Sequence, residues 1–281
     1  MVRPMTPLEI FHPRLDEARR LLVLELDHGK ANEMGSEQLD AFEALCDRVE
    51  QAASSESPIT CLCTTSRKRS KKGTPIFIAG ANVTERVGWD DVRIKAHVIR
   101  QRTLMQRLRR LPVFHVVIAT GITLGWGTEY LLTADWTIAL PEASFGLPET
   151  GLGILPGARG SAELASLIGP AHAIRLGCTG ETIDADEALR IGLVQARADD
   201  LDAALAKVHD FAERLRRRSP LALALYKHAV LDGLGRDESQ RIAIESAAYE
   251  RCVDSGEAAI GRANFDQIVA GGMPAWGHHR R

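Results

Sequence analysis

The chain has 281 residues, 45% of them apolar and 26% charged, with a formal net charge of −2. That length supports a sizeable core, in one large domain or one domain with an appendage. The near-neutral balance gives no global attraction to nucleic acid or an anionic membrane, and 5% aromatic residues argue against base-stacking platforms.

The cysteines are Cys46, Cys61, Cys63, Cys178 and Cys252. Their odd count and irregular spacing do not make a disulfide framework, and no Cys or His pair has metal-ligand spacing. Reduced thiols and no metal are expected. Cys61 and Cys63 alternate as residues on one face of a strand do. His278 and His279 sit in a polar tail and read as adventitious. Met1–Asp16 carries Pro4, Pro7 and Pro13 without the apolar run of a secretory signal. No apolar stretch reaches the roughly 18 residues a membrane helix needs. A soluble, cytoplasmic setting is expected.

Leu21–Leu26 reads as a strand, broken by Asp27-His28-Gly29-Lys30. Leu39, Phe42, Leu45, Cys46 and Val49 then fall at helical spacing, with Ser36 as the expected N-cap. Ile59–Thr65 reads as a buried strand, followed by a basic loop, Ser66–Gly73. Ile76–Ala79 is a short apolar segment. Asp91–Arg110 reads as a helix with Val92, Lys95, Val98, Ile99, Leu104 and Leu108 on its inner edge, stopped by Pro112. Val113–Ala119 is strongly β-prone. Gly121–Gly127 is a glycine-spaced turn, Thr128–Ala134 a helix and Thr137–Leu140 a strand. Ser161–Ile168, Ala171–Leu176, Ala185–Ile191 and Leu201–Arg218 read as helices. Leu221–Ile268 is helix-rich, with breaks at Gly233–Gly235 and Gly256. Strands alternating with helices and then giving way to helices predict an α/β core over residues 1–200 and a helical C-terminal region over residues 201–281.

Chemistry concentrates in four segments. Glycines at 121, 125 and 127 allow tight backbone paths and aim unpaired N–H groups at an anion or a developing oxyanion; a packing turn is the alternative. No G-x-G-x-x-G or G-K-[ST] supports phosphate binding there. Gly160-Ser161 lacks the surroundings of a nucleophile elbow. Glu129 follows the turn in an apolar context. It either complements the helix dipole or is a carboxyl with a raised pKa fit for acid–base work. Glu149 lies in the Gly/Pro-rich loop Phe145–Gly153, a composition that often shapes sites. Ile76–Asn82 runs from an apolar strand into small residues that let backbone amides approach a ligand.

Taken in order, these segments resemble the crotonase (enoyl-CoA hydratase/isomerase) superfamily. Phe77-Ile78-Ala79-Gly80-Ala81-Asn82 matches its F-x-A-G-A-D segment, Gly121–Glu129 its G-x-x-x-G-G-G-x-E segment, and Phe145–Gly153 its F-x-x-P-E-x-x-x-G segment, the last continued by Ile154–Ala158. The resemblance covers about Leu21–Arg197 and is looser beyond. It implies a spiral of β-β-α units with C-terminal helices that trimerise, and assembly as a homotrimer or a hexamer. It implies an acyl-CoA substrate and no separate cofactor. The backbone N–H groups of Ala81 and Trp126 would form an oxyanion hole for the thioester. Glu129 would be the base on a water, and Glu149 would supply the proton at the α-carbon. Lys30, Ala31, Ala79, Gly80, Asn82, Gly125, Pro148 and Gly157 would contact substrate, with Lys30-Ala31-Asn32 at the CoA adenine. The basic loop Arg67–Lys72 is either a solvated loop or within reach of the CoA phosphates. The implied reaction is hydration of a 2-enoyl-CoA. Isomerisation, hydrolysis, decarboxylation or non-catalytic binding are the alternatives. The pattern is broken at Asn82, where Asp is usual, at Trp126, where glycine is usual and the indole is expected in the acyl pocket, and at Arg159. An inward-pointing Arg159 would lower the pKa of Glu149.

Overall fold

The computed structural model describes residues 6–277; His278 and His279 lie outside the described residues. Strands β1 (Arg14–Asp16) and β2 (Leu21–Leu26) lead into α1 (Ser36–Ala52), β3 (Cys61–Ser66), β4 (Ile76–Ile78) and α2 (Asp91–Arg109). Next come β5 (Phe114–Ala119), β6 (Ile122–Leu124), α3 (Trp126–Tyr130), β7 (Trp136–Ala139), β8 (Ser144–Gly146), α4 (Gly160–Ile168) and α5 (Pro170–Thr179). The chain ends in β9 (Thr182–Asp184), α6 (Ala185–Arg190), β10 (Ala196–Arg197), α7 (Leu201–Leu215), α8 (Pro220–Gly233), α9 (Glu238–Asp254), α10 (Glu257–Ala263) and α11 (Phe265–Val269).

The strands form two sheets, ordered β1-β2-β3-β5-β7-β10 and β4-β6-β8-β9. All pairings are parallel except β1 with β2 and β8 with β9. From β3 to β8 successive strands alternate between the sheets, so β3-β4-α2, β5-β6-α3 and β7-β8-α4 are turns of one β-β-α spiral. Each turn therefore exits the small sheet at the same end, which stacks the segments after β4, β6 and β8.

The central strands are buried on both faces, as parallel strands need to be. In β3, Leu62 faces the main core with Phe42 and Phe77. Cys61 and Cys63 face a second core, where α7 packs Ala204, Val208 and Ala212 against Val116, Ile118 and Ile138. The alternation expected for Cys61 and Cys63 is thus a face of β3 under α7. Burial pushes the Cys63 thiol up to about 12.

In α1, Leu39, Phe42, Leu45, Cys46 and Val49 are fully buried, as their spacing predicts. The cap differs by one residue. Gly35 is the N-cap, its amide donating to Gln38 Oε1 at 2.9 Å. The Ser36 amide and hydroxyl donate to the Glu85 carboxylate at 3.0 Å and 2.9 Å. A distant anion here satisfies the helix end and its dipole, which no local pattern records.

The inner face of α2 also differs. His97, Gln101, Leu104, Met105 and Leu108 are buried, whereas Val92 and Ile99 are 75% and 59% exposed. The first half of α2 overhangs a cavity that Ile94, Val98 and Gln101 line. The helix expected over Thr128–Ala134 begins at Trp126 and tightens to a 3-10 turn over Leu131–Thr133. Its start is tied down by Thr128 Oγ1, which donates to the Thr123 and Gly146 carbonyls at 2.8 and 2.9 Å.

Helix α8 is anchored to the core by Lys227, whose Nζ donates to Asp135 Oδ2 at 2.7 Å and to the Val113 carbonyl at 2.9 Å. Helices α9 and α11 bury none of their residues. Among the described residues no helix is long and apolar enough to cross a membrane.

Candidate active site

Two backbone turns build the floor. After β4, Met34 pairs with the segment: its amide donates to the Gly80 carbonyl at 3.0 Å, and its carbonyl accepts from Asn82 N at 2.9 Å. Gly80, at φ 110°, turns the chain between these bonds, and the Ala81 amide finds no acceptor among the described residues. After β6, Gly125 at φ 51° starts α3, and the Trp126 amide is the first N–H of that helix, likewise without an acceptor among the described residues. The turns touch: a Cβ on Gly125 would lie 3.8 Å from Gly80 Cα. Glycine at 127 is a steric need, because a Cβ there would meet the Ile78 carbonyl oxygen at 2.2 Å. Two free amides are thus delivered by neighbouring turns of the spiral.

Ala81, Trp126, Glu129 and Glu149 line one cavity of about 360 Å³, closed by Ile94 and Val98 of α2 and by Ile154, Leu155, Gly157 and Ala158 of the loop after β8. A larger cavity, about 630 Å³ between α2, α4 and α8, holds neither the free amides nor the carboxylate pair. Glu129 is 2% exposed. Its Oε1 accepts from Ala158 N at 2.8 Å and Gly160 N at 2.7 Å. Burial pushes its carboxyl up to about 7 against those two donors, with the neighbouring Glu149 adding to the rise. Burial also raises Glu149, and its Oε2 is enclosed without a donor. A Cβ on Gly125 would lie 2.7 Å from Glu149 Oε1, so the two free-amide turns and the second carboxylate share one small space. Two carboxyls of raised pKa beside two unpaired N–H groups can hold a water and a polarised carbonyl together.

The expected substrate contacts divide. Gly157 lines the cavity, and its carbonyl accepts from Arg102 Nε at 2.6 Å. Ala79, Gly80 and Gly125 form the turns beneath it. Ala31 joins that frame through its carbonyl, which accepts from Ala79 N at 3.0 Å. Lys30 is exposed on the same loop, and Pro148 is exposed at the start of the 3-10 turn carrying Glu149. Neither lines the cavity. Asn82 Oδ1 accepts from Thr84 Oγ1 at 2.7 Å and Glu85 N at 3.3 Å, so the amide caps the next turn. In the basic loop, Arg67 pairs with Glu25 at 2.7 Å and Lys68 with Asp27 at 2.9 Å.

Two expectations need correction. The Trp126 indole does not fill the cavity. It stacks on Tyr130 at 5.5 Å and approaches Phe42 at 6.0 Å, forming wall and core at once. Arg159 does not point at Glu149. Its guanidinium pairs with Glu163 one turn along α4, and Glu149 keeps a raised pKa.

The family profile described as Enoyl-CoA hydratase/isomerase matches residues 72–267. The chain belongs to the enoyl-CoA hydratase/isomerase family. It is 29% identical over 246 residues to the short-chain-enoyl-CoA hydratase of Clostridium acetobutylicum, covering 87% of this chain and 90% of that protein. It is also 29% identical to the crotonyl-CoA hydratase of Syntrophomonas wolfei, covering 85% and 88%. The crystal structure of an enoyl-CoA hydratase from Bacillus anthracis superposes with a TM-score of 0.80 at 29% identity, covering 95% and 99%. The crotonase fold expected from the four ordered segments is the one observed.

For this family member, sequence reasoning missed the polar side chains of the cavity: Arg86, Gln101 and Arg102. Their signal was weak. Gln101 lies one turn after His97, and the buried polar pair is visible only once the helix face is known. The amides of Ala158 and Gly160 that hold Glu129 were also missed. A Cβ on Gly160 would lie 2.8 Å from Glu129 Oε1, so glycine there keeps the carboxylate in place.

Proposed function

We propose that the protein adds water to a 2-enoyl-CoA thioester. The observation that carries this reading is the single cavity in which the Ala81 and Trp126 turns meet Glu129 and Glu149. The thioester oxygen accepts from both free amides, which stabilise the enolate charge as it develops; donors of this kind contribute about 3–4 kcal/mol each. Glu129 takes a proton from water as its oxygen bonds to the β-carbon. The Ala158 and Gly160 amides favour the ionised form of Glu129 for that step. Glu149, raised by burial and lacking a donor at Oε2, carries the proton that goes to the α-carbon. The pair thus shares one proton between two closely placed carboxyls. That proton passes back from Glu129 to Glu149 before the next turnover.

Neither Trp126 nor Arg159 introduces a new reacting group, since the Arg159 side chain is paired with Glu163 and the Trp126 indole is stacked on Tyr130. This favours hydration over the family's other acyl-CoA reactions. The open cavity favours catalysis over a plugged, non-catalytic binding protein. Replacing Glu129 or Glu149 by Gln is expected to lower crotonyl-CoA hydration about 10²- to 10⁴-fold, the usual worth of a positioned acid or base. Unchanged turnover in both variants would overturn the reading. Product analysis on an acyl-CoA panel is expected to give 3-hydroxyacyl thioesters.

Exposed apolar side chains on the C-terminal helices, Tyr226, Tyr249 and Phe265 among them, support self-association as a homotrimer or hexamer. Sedimentation is expected to give an oligomer, and a monomer at micromolar concentration would refute it. A cytoplasmic location completes the proposal.

A further inference from the structure

The cavity wall holds donors that nothing among the described residues satisfies. Arg86 Nε and Nη2, Gln101 Nε2 and Trp126 Nε1 are all enclosed, and none has a hydrogen-bond partner. They come from three different elements: the 3-10 turn Thr84–Arg86, α2 and α3. All three residues line the cavity that holds Glu129 and Glu149. Gln101 is 3% exposed and Trp126 2%, so bulk water does not serve them. Buried donors are nearly always paired, and several orphans on one wall point to an acceptor the protein does not supply.

The glutamates are not that acceptor. Glu149 Oε2 is itself unpartnered, and Glu129 Oε1 is taken by Ala158 and Gly160. Arg102 acts on the Glu129 carboxyl. Arg86 disfavours the charged form of the His97 imidazole and is itself acted on by the Glu85 carboxylate. The ion pair nearest to hand is also in use, because Glu85 is held by Ser36. The same cavity is lined by the apolar side chains Ile94, Val98, Ile154 and Leu155.

The geometry points to an acyl group with a hydrocarbon segment and a carboxylate at its far end, received by Arg86 together with Gln101 and the Trp126 indole. A guanidinium is shaped for a carboxylate, and a desolvated one binds it most selectively. The substrate class is then the mono-CoA thioester of an unsaturated dicarboxylic acid. This inference rests on the proposal that Ala81, Trp126, Glu129 and Glu149 flank the thioester and its α- and β-carbons, because that proposal is what makes the rest of the cavity the acyl side.

The test compares glutaconyl-CoA, whose acyl chain ends in a carboxylate, with crotonyl-CoA, which lacks it. Wild-type protein is expected to favour glutaconyl-CoA in kcat/KM by at least about 10-fold. Arg86→Met is expected to lower that selectivity ratio about 30- to 100-fold, and Gln101→Leu to lower it by a smaller factor. A misfolded variant lowers both substrates and leaves the ratio in place, so the ratio reports the contact itself. A ratio at or below one in wild type, or a ratio that Arg86→Met leaves unchanged while crotonyl-CoA turnover is retained, overturns the inference. Calorimetry with the saturated thioesters glutaryl-CoA and butyryl-CoA separates the two proposals, because it needs no turnover. Tighter glutaryl-CoA binding, lost in Arg86→Met, with no hydration of either enoyl thioester supports this inference and refutes the hydratase reading. Hydration of crotonyl-CoA with equal binding of the two saturated thioesters does the reverse.

Discussion

Glu129→Gln is expected to make the protein more stable and less active, with most of the stability gain at neutral and alkaline pH. A carboxyl whose folded pKa lies above its unfolded value binds its proton more readily in the folded chain. The folded state therefore loses stability as pH rises between the two values. For Glu129 the folded value is raised to about 7 from 4.5. The window thus opens near pH 4.5 and the full cost is reached above pH 7. At 1.36 kcal/mol per pKa unit the cost is about 3 kcal/mol, undiminished by solvent because the side chain is buried. Gln carries no charge, and its carbonyl oxygen can still accept from Ala158 and Gly160, which sit 2.8 and 2.7 Å from Oε1. Urea unfolding of both proteins at pH 5 and pH 8 measures the difference. The variant should exceed wild type by about 3 kcal/mol at pH 8 and by only about 1 kcal/mol at pH 5. A variant equal to or weaker than wild type at pH 8 would show that Glu129 is not held as a desolvated charge, and the acid–base assignment would fall with it.

Gly125→Ala places a Cβ 2.7 Å from Glu149 Oε1 at a residue with φ 51°, so it is expected to cost about 1–2 kcal/mol and to lower hydration about 100-fold by displacing the carboxylate. Urea unfolding and kcat measured on the same preparation check both numbers. Lys227→Met removes the cation that joins α8 to Asp135 and to the Val113 carbonyl, leaving a half-buried carboxylate that still accepts from the His115 amide. It is expected to destabilise the fold by about 3 kcal/mol, and Lys227→Met with Asp135→Asn should recover part of that loss.

The parts of this site that sequence revealed are those where backbone geometry demands a residue type. A Cβ at 121 would meet the Pro75 carbonyl at 2.1 Å and one at 127 the Ile78 carbonyl at 2.2 Å, so glycine spacing records the close approach of β4 to the turn before α3. The same holds for the core strands, whose unbroken apolar runs record burial on both faces. Side-chain direction was not legible, because it is decided by partners far off in sequence. The Trp126 indole goes to Phe42 and Tyr130, and the Arg159 guanidinium to Glu163. The α2 ridge misled for a related reason: its apolar residues Val92 and Ile99 are exposed, while the polar Gln101 and His97 are buried.

Asn82 joins these threads. As a sequence letter it is only a departure from an expected aspartate. In the structure its Oδ1 caps the turn Thr84–Arg86, and that turn does two things. Glu85 leaves it to hold the start of α1, and Arg86 leaves it to line the cavity. An aspartate could accept the same hydrogen bonds, but it would set a second negative charge beside Glu85 and a local counter-ion near Arg86. The neutral amide keeps the cap and leaves Glu85 as the carboxylate that acts on the half-buried Arg86. Glu85 also holds the start of α1 through Ser36, so its charge is shared between two sites. A guanidinium with a shared counter-charge and enclosed, unpartnered Nε and Nη2 keeps capacity for a second carboxylate, the one the proposed acyl group brings.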